Sequence, residues 1–297
     1  MVESHSFADR AAMAMIVLVL LLLGLLCFLP FLNVVATSLS SYGAVSARQV
    51  TLWPIGFHLD NYRYVVDVQF ARACFISLLR VLFGVSLTLL ITVLTAFPLS
   101  QDNHYLPGRT AFKVIMLISM LFSGGLIPYY LSIRNLGLYD HFAVLVIPGS
   151  MNVFFVILVI NFFRGLPPEL SEAAVMDGAT PFDLLFRIYL PLSTPSLATI
   201  ALFSAVGHWN SWFDAILFLR TSTSWPVQAY IYDRLISTIE TFEGTSTVAT
   251  RLSHLWNVSP QGLACALLIL VMLPIVAVYP FLQRYFVSGL TLGSVKS

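Results

Sequence analysis

The chain has 297 residues, 58% of them hydrophobic and only 10% charged, with a formal net charge of +1. A soluble domain carries roughly a quarter charged residues, so this composition excludes a sizeable soluble domain and gives an integral membrane protein. The balanced charge offers no footing for nucleic acid or for a strongly acidic partner. The three cysteines, Cys27, Cys74 and Cys265, stand in or beside apolar runs and read as buried free thiols, with no disulfide or metal spacing.

In chain order, a short polar start leads to an apolar run over 11–32. At about 1.5 Å per residue this crosses a ~30 Å hydrocarbon core. It exceeds the length of a signal-peptide core, and 33–36 is a poor cleavage site, so it reads as an uncleaved first span. A polar connection over 33–72 contains Trp53-Pro54 and Asp60-Asn61-Tyr62, which suggest turns. Further spans are expected at 74–99, 111–131 and 142–163. The third is interrupted by Gly124-Gly125 and Pro128, and the fourth by Pro148-Gly149. After an amphipathic loop at 164–191, a fifth span is expected at 192–219 and a sixth at 261–281, separated by a polar connection over 220–260. The expectation is an all-α membrane protein, one transmembrane domain over 1–297 with six spans, and no internal repeat.

The loop at 164–191 is the one long amphipathic passage. Pro167 and Pro168 suit a helix entry. Glu169 and Glu172 are expected in its opening turn, where negative charge suits the dipole. Asp177-Gly178 ends it. A second helix opens with Thr180-Pro181-Phe182-Asp183, in which Thr180 can cap and Asp183 can return the contact. Phe182, Leu185, Phe186 and Tyr189 then fall at helical spacing and predict one apolar face, before Pro191 ends the helix.

Six spans put both termini on one side. With the loop inside, seven cations fall inside (Arg10, Arg109, Lys113, Arg164, Arg187, Arg284, Lys296) and seven outside (Arg48, Arg63, Arg72, Arg134, Arg220, Arg234, Arg251). The positive-inside rule therefore gives no orientation.

Glu172-Ala173-Ala174, then Gly178, then Ile188, Leu190 and Pro191 resemble the EAA loop of membrane subunits of ABC importers. Gly125 to Tyr129, Leu136-Gly137-Leu138, His208-Trp209-Asn210 with Trp212, and the tail from Gln283 are similar to carbohydrate-importer permeases, most of all the smaller permease subunit of the maltose importer. Within that group the likeness points toward the branch serving fragments of acidic polysaccharides, such as pectin or alginate oligosaccharides. The resemblance implies the type I importer permease fold, both termini and the loop in the cytoplasm of a bacterial inner membrane, and a coupling helix that docks on an ATP-hydrolysing subunit. It implies as partners a second homologous permease, two ATP-binding subunits and an extracytoplasmic solute-binding protein, with an oligosaccharide as cargo and lipid around the spans. It also implies that the tail, through Ser288, Gly289, Gly293 and Ser294, enters the ATPase interface, and that a loop tip at 240–250 reaches into the binding protein.

No phosphate-binding loop is present: Lys113 and Lys296, the two lysines, lack the G-x-x-x-x-G-K-[ST] context. ATP and Mg are expected in partner subunits, with no cofactor, metal or catalytic residue in this chain, which is not an enzyme. For the substrate pathway, Trp209, Asn210 and Trp212 combine aromatic faces with an amide, the pair of chemistries that meets sugars. An aromatic belt with a helix-bonding Asn is the other reading. Arg80 and Asp214 are ionisable residues within spans, which either pair or snorkel, or line the pathway. An ion-coupled secondary transporter, the alternative, fits the broken spans but not the lack of a repeat or the presence of a partner-docking loop. A membrane-embedded enzyme would need clustered His, Asp or Glu inside spans, which are missing.

Overall fold

The structure is a computed structural model that describes residues 7–101, 106–243 and 258–291. Every regular element among them is helical. In chain order the helices are α1 (Phe7–Ser38), α2 (Tyr42–Ser46), α3 (Asp60–Val65), α4 (Val68–Ser100), α5 (Arg109–Leu121), α6 (Leu126–Asn135), α7 (Val153–Arg164), α8 (Pro168–Met176), α9 (Pro181–Leu192), α10 (Thr194–Asn210), α11 (Phe213–Phe218), α12 (Val227–Glu243) and α13 (Pro260–Thr291). Backbone amides have no water to bond in a bilayer, so local helices are the available solution.

The described residues among 1–68 and 233–273 form one compact unit. Its long helix α1 keeps its apolar side chains exposed from Met13 to Leu29, and Cys27 is exposed rather than buried. The polar connection after it is tied down. Asn61, fully buried, donates from Nδ2 to the Ser38 carbonyl at 2.8 Å and so satisfies the end of α1, while Ser38 Oγ lies 2.8 Å from the Tyr62 hydroxyl. Gly262 packs on Asn61: an added Cβ would stand 2.8 Å from Asn61 Nδ2. Arg234 Nη2 reaches Asp67 Oδ2 at 3.3 Å.

The described residues among 69–232 and 274–297 form the second unit. One core joins Val93, Ala96, Phe97 and Leu99 of α4 to Phe155, Val156, Val159, Ile160 and Phe163 of α7 and to Leu184, Leu185 and Tyr189 of α9. A second core gathers Ile133, Val144, Leu145, Ala215 and Phe218.

Helices 11–38, 68–100 and 260–277 are long and apolar enough to cross a membrane as single rods. The spans expected at 111–131, 142–163 and 192–219 are broken instead. The third is α5 and α6, bent by 116°, with the chain extended at Phe122 and Gly125 at φ 85°; Gly at both 124 and 125 removes the penalty for leaving the helix. The fourth starts as a regular helix only at Val153, where Asn152 accepts from the Phe154 amide at 3.0 Å. Before it lie a short 3-10 turn, Phe142–Leu145, and the Pro148-Gly149 corner. The fifth divides at Ser211-Trp212 into α10 and α11. The sixth outruns its expected end, since the α13 helix continues through Ser288 and Gly289 to Thr291. Ser288 and Gly289 of the tail therefore lie within that helix, while Gly293, Ser294 and the loop-tip positions 244–250 lie outside the described residues.

Candidate functional site

The amphipathic loop is a bent pair of helices. α8 begins at Pro168, so Glu169 lies in its first turn and Glu172 a turn further in, which corrects the expectation that both sit at the opening. The helix stops at Asp177, and Gly178 takes φ 84°, the left-handed conformation that only glycine adopts without cost. The Gly178 amide donates to the Val175 carbonyl at 3.0 Å and the Ala179 amide to the Ala174 carbonyl at 2.9 Å, which closes the end of α8.

α9 opens with the capping box expected of Thr180 and Asp183. Thr180 Oγ1 accepts from the Asp183 amide at 3.3 Å, and Asp183 Oδ2 accepts from the Thr180 amide at 3.1 Å and hydroxyl at 2.6 Å. These hydrogen bonds, hydroxyl first, hold the Asp183 carboxyl below its ordinary pKa, helped by Arg187, whose Nε lies 3.3 Å from Asp183 Oδ1. The apolar face differs from the expected one. Residues Leu184–Tyr189 form a π-turn, which shifts the side-chain register. Leu184, Leu185 and Tyr189 are buried, whereas Phe182 and Phe186 are 69% and 55% exposed. The helix therefore has two apolar surfaces, one inside the chain and one outside. Of the motif residues, Glu172, Ala173, Gly178 and Pro191 are exposed, while Ala174, Ile188 and Leu190 pack against the core.

The other sequence candidates meet at the break in the fifth span. Arg80, 2% exposed, donates from Nη1 to the Ser211 carbonyl at 2.9 Å and to Asp214 Oδ1 at 3.1 Å, and its Nη2 pairs with Asp214 Oδ2. Asp214 Oδ1 also accepts from Ser211 Oγ at 3.1 Å and from the Ala215 amide at 3.0 Å. One guanidinium thus satisfies a carbonyl at the end of α10 and the carboxylate in the first turn of α11. Of the alternatives open in the sequence, the two residues pair with each other. Trp209 is buried, and its indole N–H finds no partner among the described residues. Asn210 is exposed and accepts at Oδ1 from Gln228 Nε2 at 3.4 Å. Trp212 stacks on Tyr232, ring centroids 4.3 Å apart and planes 17° apart.

Residues 69–292 match the family model described as "Binding-protein-dependent transport system inner membrane component". The chain belongs to this family. Its members are transport components rather than enzymes, and the match leaves the ion-coupled alternative without support. The inner-membrane component is 38% identical to the protein LplC of Bacillus subtilis over 92% of this chain and 90% of that one. It is 35% identical to the polygalacturonan/rhamnogalacturonan transport system permease protein YtcP of the same organism, over 93% and 95% of the two chains. It is similar to a chain in the crystal structure of a bacterial ABC transporter involved in the import of the acidic polysaccharide alginate. That likeness has a TM-score of 0.85 and 30% identity, and covers 95% of this chain and 99% of that chain.

Two features of this inner-membrane component escape sequence reasoning. His208 lies flat against Gly84: a Cβ there would stand 2.5 Å from His208 Nε2 and 2.6 Å from Cδ2. Tyr189 sits edge-on between Phe97 and Phe163, at 5.3 and 5.2 Å. Both contacts join positions more than ninety apart or from different spans, so no local spacing announces them. The only trace is the recurrence of small and polar residues, Ser77, Arg80, Gly84, Thr88 and Thr92, along one face of α4, all of which are buried.

Proposed function

We propose that this chain is the permease subunit of an ATP-driven importer that takes up an oligosaccharide handed over by a solute-binding protein. The observation that carries the coupling part is the α8–α9 hairpin. Its exposed Ala173, Phe182 and Phe186 offer small and aromatic surface to a partner, while Leu184, Leu185 and Tyr189 anchor the same hairpin in the chain's own core. A loop built this way can be pushed from outside and pass the movement inward. Glu172, Ala173, Ala174, Gly178, Ile188, Leu190 and Pro191 are the residues assigned to ATPase coupling, four turned outward and three inward.

The names of the relatives support an acidic oligosaccharide, derived from polygalacturonan, rhamnogalacturonan or alginate, as the cargo. The family description supports a binding protein as donor. The assembly contains a second homologous permease and two ATP-binding subunits, which hold the ATP and Mg. The termini and the hairpin face the cytoplasm, and the tail with Ser288, Gly289, Gly293 and Ser294 reaches the ATPase subunits.

Purification from native membranes in mild detergent, followed by reconstitution with the binding protein, tests this reading. ATP-dependent uptake of oligosaccharides released from polygalacturonan or alginate, with both partner types recovered, is the expected outcome. Recovery of the chain alone, with uptake indifferent to ATP, overturns it.

A further inference from the structure

The break in the fifth span is the place where backbone leaves the helix beside the ion pair of buried Arg80 with half-buried Asp214. Irregular backbone at membrane depth is tolerated where protein buries it or where it lines a watery cavity. Here Arg80 does the first part: it holds the Ser211 carbonyl and Asp214 together. The side chains on either side of that lock are not buried. Asn210 is exposed, Trp212 is 37% exposed and Tyr232 is 40% exposed. They are also already arranged. Trp212 is stacked on Tyr232 and has Phe213 edge-on at 5.7 Å. Asn210 is joined to Gln228, which lies four positions before Tyr232 on α12. Val227, next to Gln228, is fixed in turn by the hydrogen bond that its amide N–H donates to Ser77 Oγ at 2.8 Å, on the same face of α4 that carries Arg80.

Two amides and two rings held in this way have a specific chemistry. The electron-rich face of an aromatic ring attracts the slightly positive C–H edge of a pyranose. A carboxamide has both donor and acceptor, so it can meet a hydroxyl group either way round. Neither group carries charge, so the pair recognises the sugar ring and not a uronate carboxylate.

We infer that Asn210, Trp212, Gln228 and Tyr232 form a carbohydrate contact on the transport path, with the Arg80–Asp214 pair as its positioning element. The inference rests on the reading of this chain as an oligosaccharide permease and adds the residues through which it touches its cargo. Arg80 and Asp214 do not meet the sugar; they keep the break from closing into a continuous helix, which would rotate Trp212 away from Asn210.

The test uses the whole reconstituted complex with its binding protein and, as probe, trisaccharides cut from polygalacturonan and from alginate. Trp212→Ala and Tyr232→Leu are expected to raise the KM for uptake about three- to tenfold and to lower kcat by less. Trp212→Phe and Tyr232→Phe, which keep a ring, are expected to recover most of the loss. The KM shift is expected to be the same at low and high ionic strength, since no charge is involved. Arg80→Lys, which keeps the charge but loses the two-pronged grip, is expected to raise KM in the same way and to add nothing in combination with Trp212→Ala. An unchanged KM in Trp212→Ala and Tyr232→Leu, beside a wild-type complex that transports, overturns the contact and leaves the permease reading standing. Loss of the partner permease on purification of those variants also overturns it, and makes the rings a subunit contact instead. A wild-type complex that takes up neither trisaccharide removes the acidic oligosaccharide as cargo and, with it, the contact.

Discussion

Tyr189 packs edge-on against Phe97, with ring centroids 5.3 Å apart and planes at 76°, and Phe163 closes the triangle at 5.2 Å from Tyr189 and 6.4 Å from Phe97. The three rings tie α9 to α4 and α7 at once. Tyr189→Ala empties the centre of that contact and is expected to destabilise the chain by about 3 kcal/mol. Tyr189→Phe keeps the ring contacts and is expected to cost less than about 1.5 kcal/mol. Thermal unfolding of the purified complex checks the stability order. The ratio of ATP hydrolysed to sugar transported checks the mechanical one, which is expected to rise in Tyr189→Leu and to stay near wild type in Tyr189→Phe.

Gly178 is a backbone requirement and not a packing one. Its φ is 84°, and an added Cβ would meet nothing within 4 Å. Gly178→Leu is therefore expected to cost about 1–2 kcal/mol through conformation alone, leaving insertion intact while re-aiming α8. Gly178→Asn, which tolerates the left-handed region, is expected to be milder. Coupled transport should fall in the order Gly, Asn, Leu; equal transport in all three would separate this turn from coupling. Glu172→Lys tests the same surface by charge. Since Glu172 lies beyond the first turn, its effect is expected on docking of the ATPase and not on helix stability.

Gly84 is the reverse case. Three atoms of the His208 ring, Nε2, Cδ2 and Cε1, lie within 2.7 Å of where a Cβ would be, so Gly84→Ala forces a ring or a helix to move. A loss of about 1–3 kcal/mol is expected from such overpacking. His208→Ala in the same chain is expected to restore part of it, because the ring that clashes is gone. Yield of folded complex for the single and double variants measures this, and additive losses would contradict the contact.

Arg80→Ala leaves the half-buried Asp214 carboxylate without its cation and is expected to cost about 1–3 kcal/mol, less than in a fully buried pair because water reaches the carboxylate. Replacing both partners, Arg80→Met with Asp214→Leu, is expected to recover much of that, since no uncompensated charge remains. A double-mutant cycle on the melting of the complex gives the coupling directly.

The capping box has a pH signature. Asp183 is held below its ordinary pKa by Thr180 and Arg187, so its contribution is fully present above about pH 4, the unfolded value, and is lost as pH falls through the lower folded value. Hydrogen exchange of the Asp183 and Leu184 amides is expected to be flat, after correction for intrinsic rates, from neutral pH down to about pH 4 and to quicken below it. In Thr180→Ala the onset is expected to move to higher pH.

Much of this protein is set by neighbours in sequence. Apolar runs longer than a bilayer is thick become helices wherever they occur, because no other structure satisfies their backbone in lipid. Thr180 and Asp183 make their box within one turn, and Gly178 reverses the chain by its own backbone freedom; both were legible because the cause lies within three residues. The spacing from Glu172 to Pro191 is likewise a property of the string of residues. Contacts between distant positions decided the rest. Arg80 and Asp214 are 134 positions apart, and the sequence left open whether they pair, snorkel or line a path; only the approach of α4 to the broken span makes them one lock. Phe182, Leu185, Phe186 and Tyr189 were legible as apolar but not as divided, since the π-turn that turns two of them inward is stabilised by the core they enter. Local interactions fix which segments become helices. Where a helix breaks, and which of its faces is buried, is settled by what packs against it, and that partner is never written within a few residues.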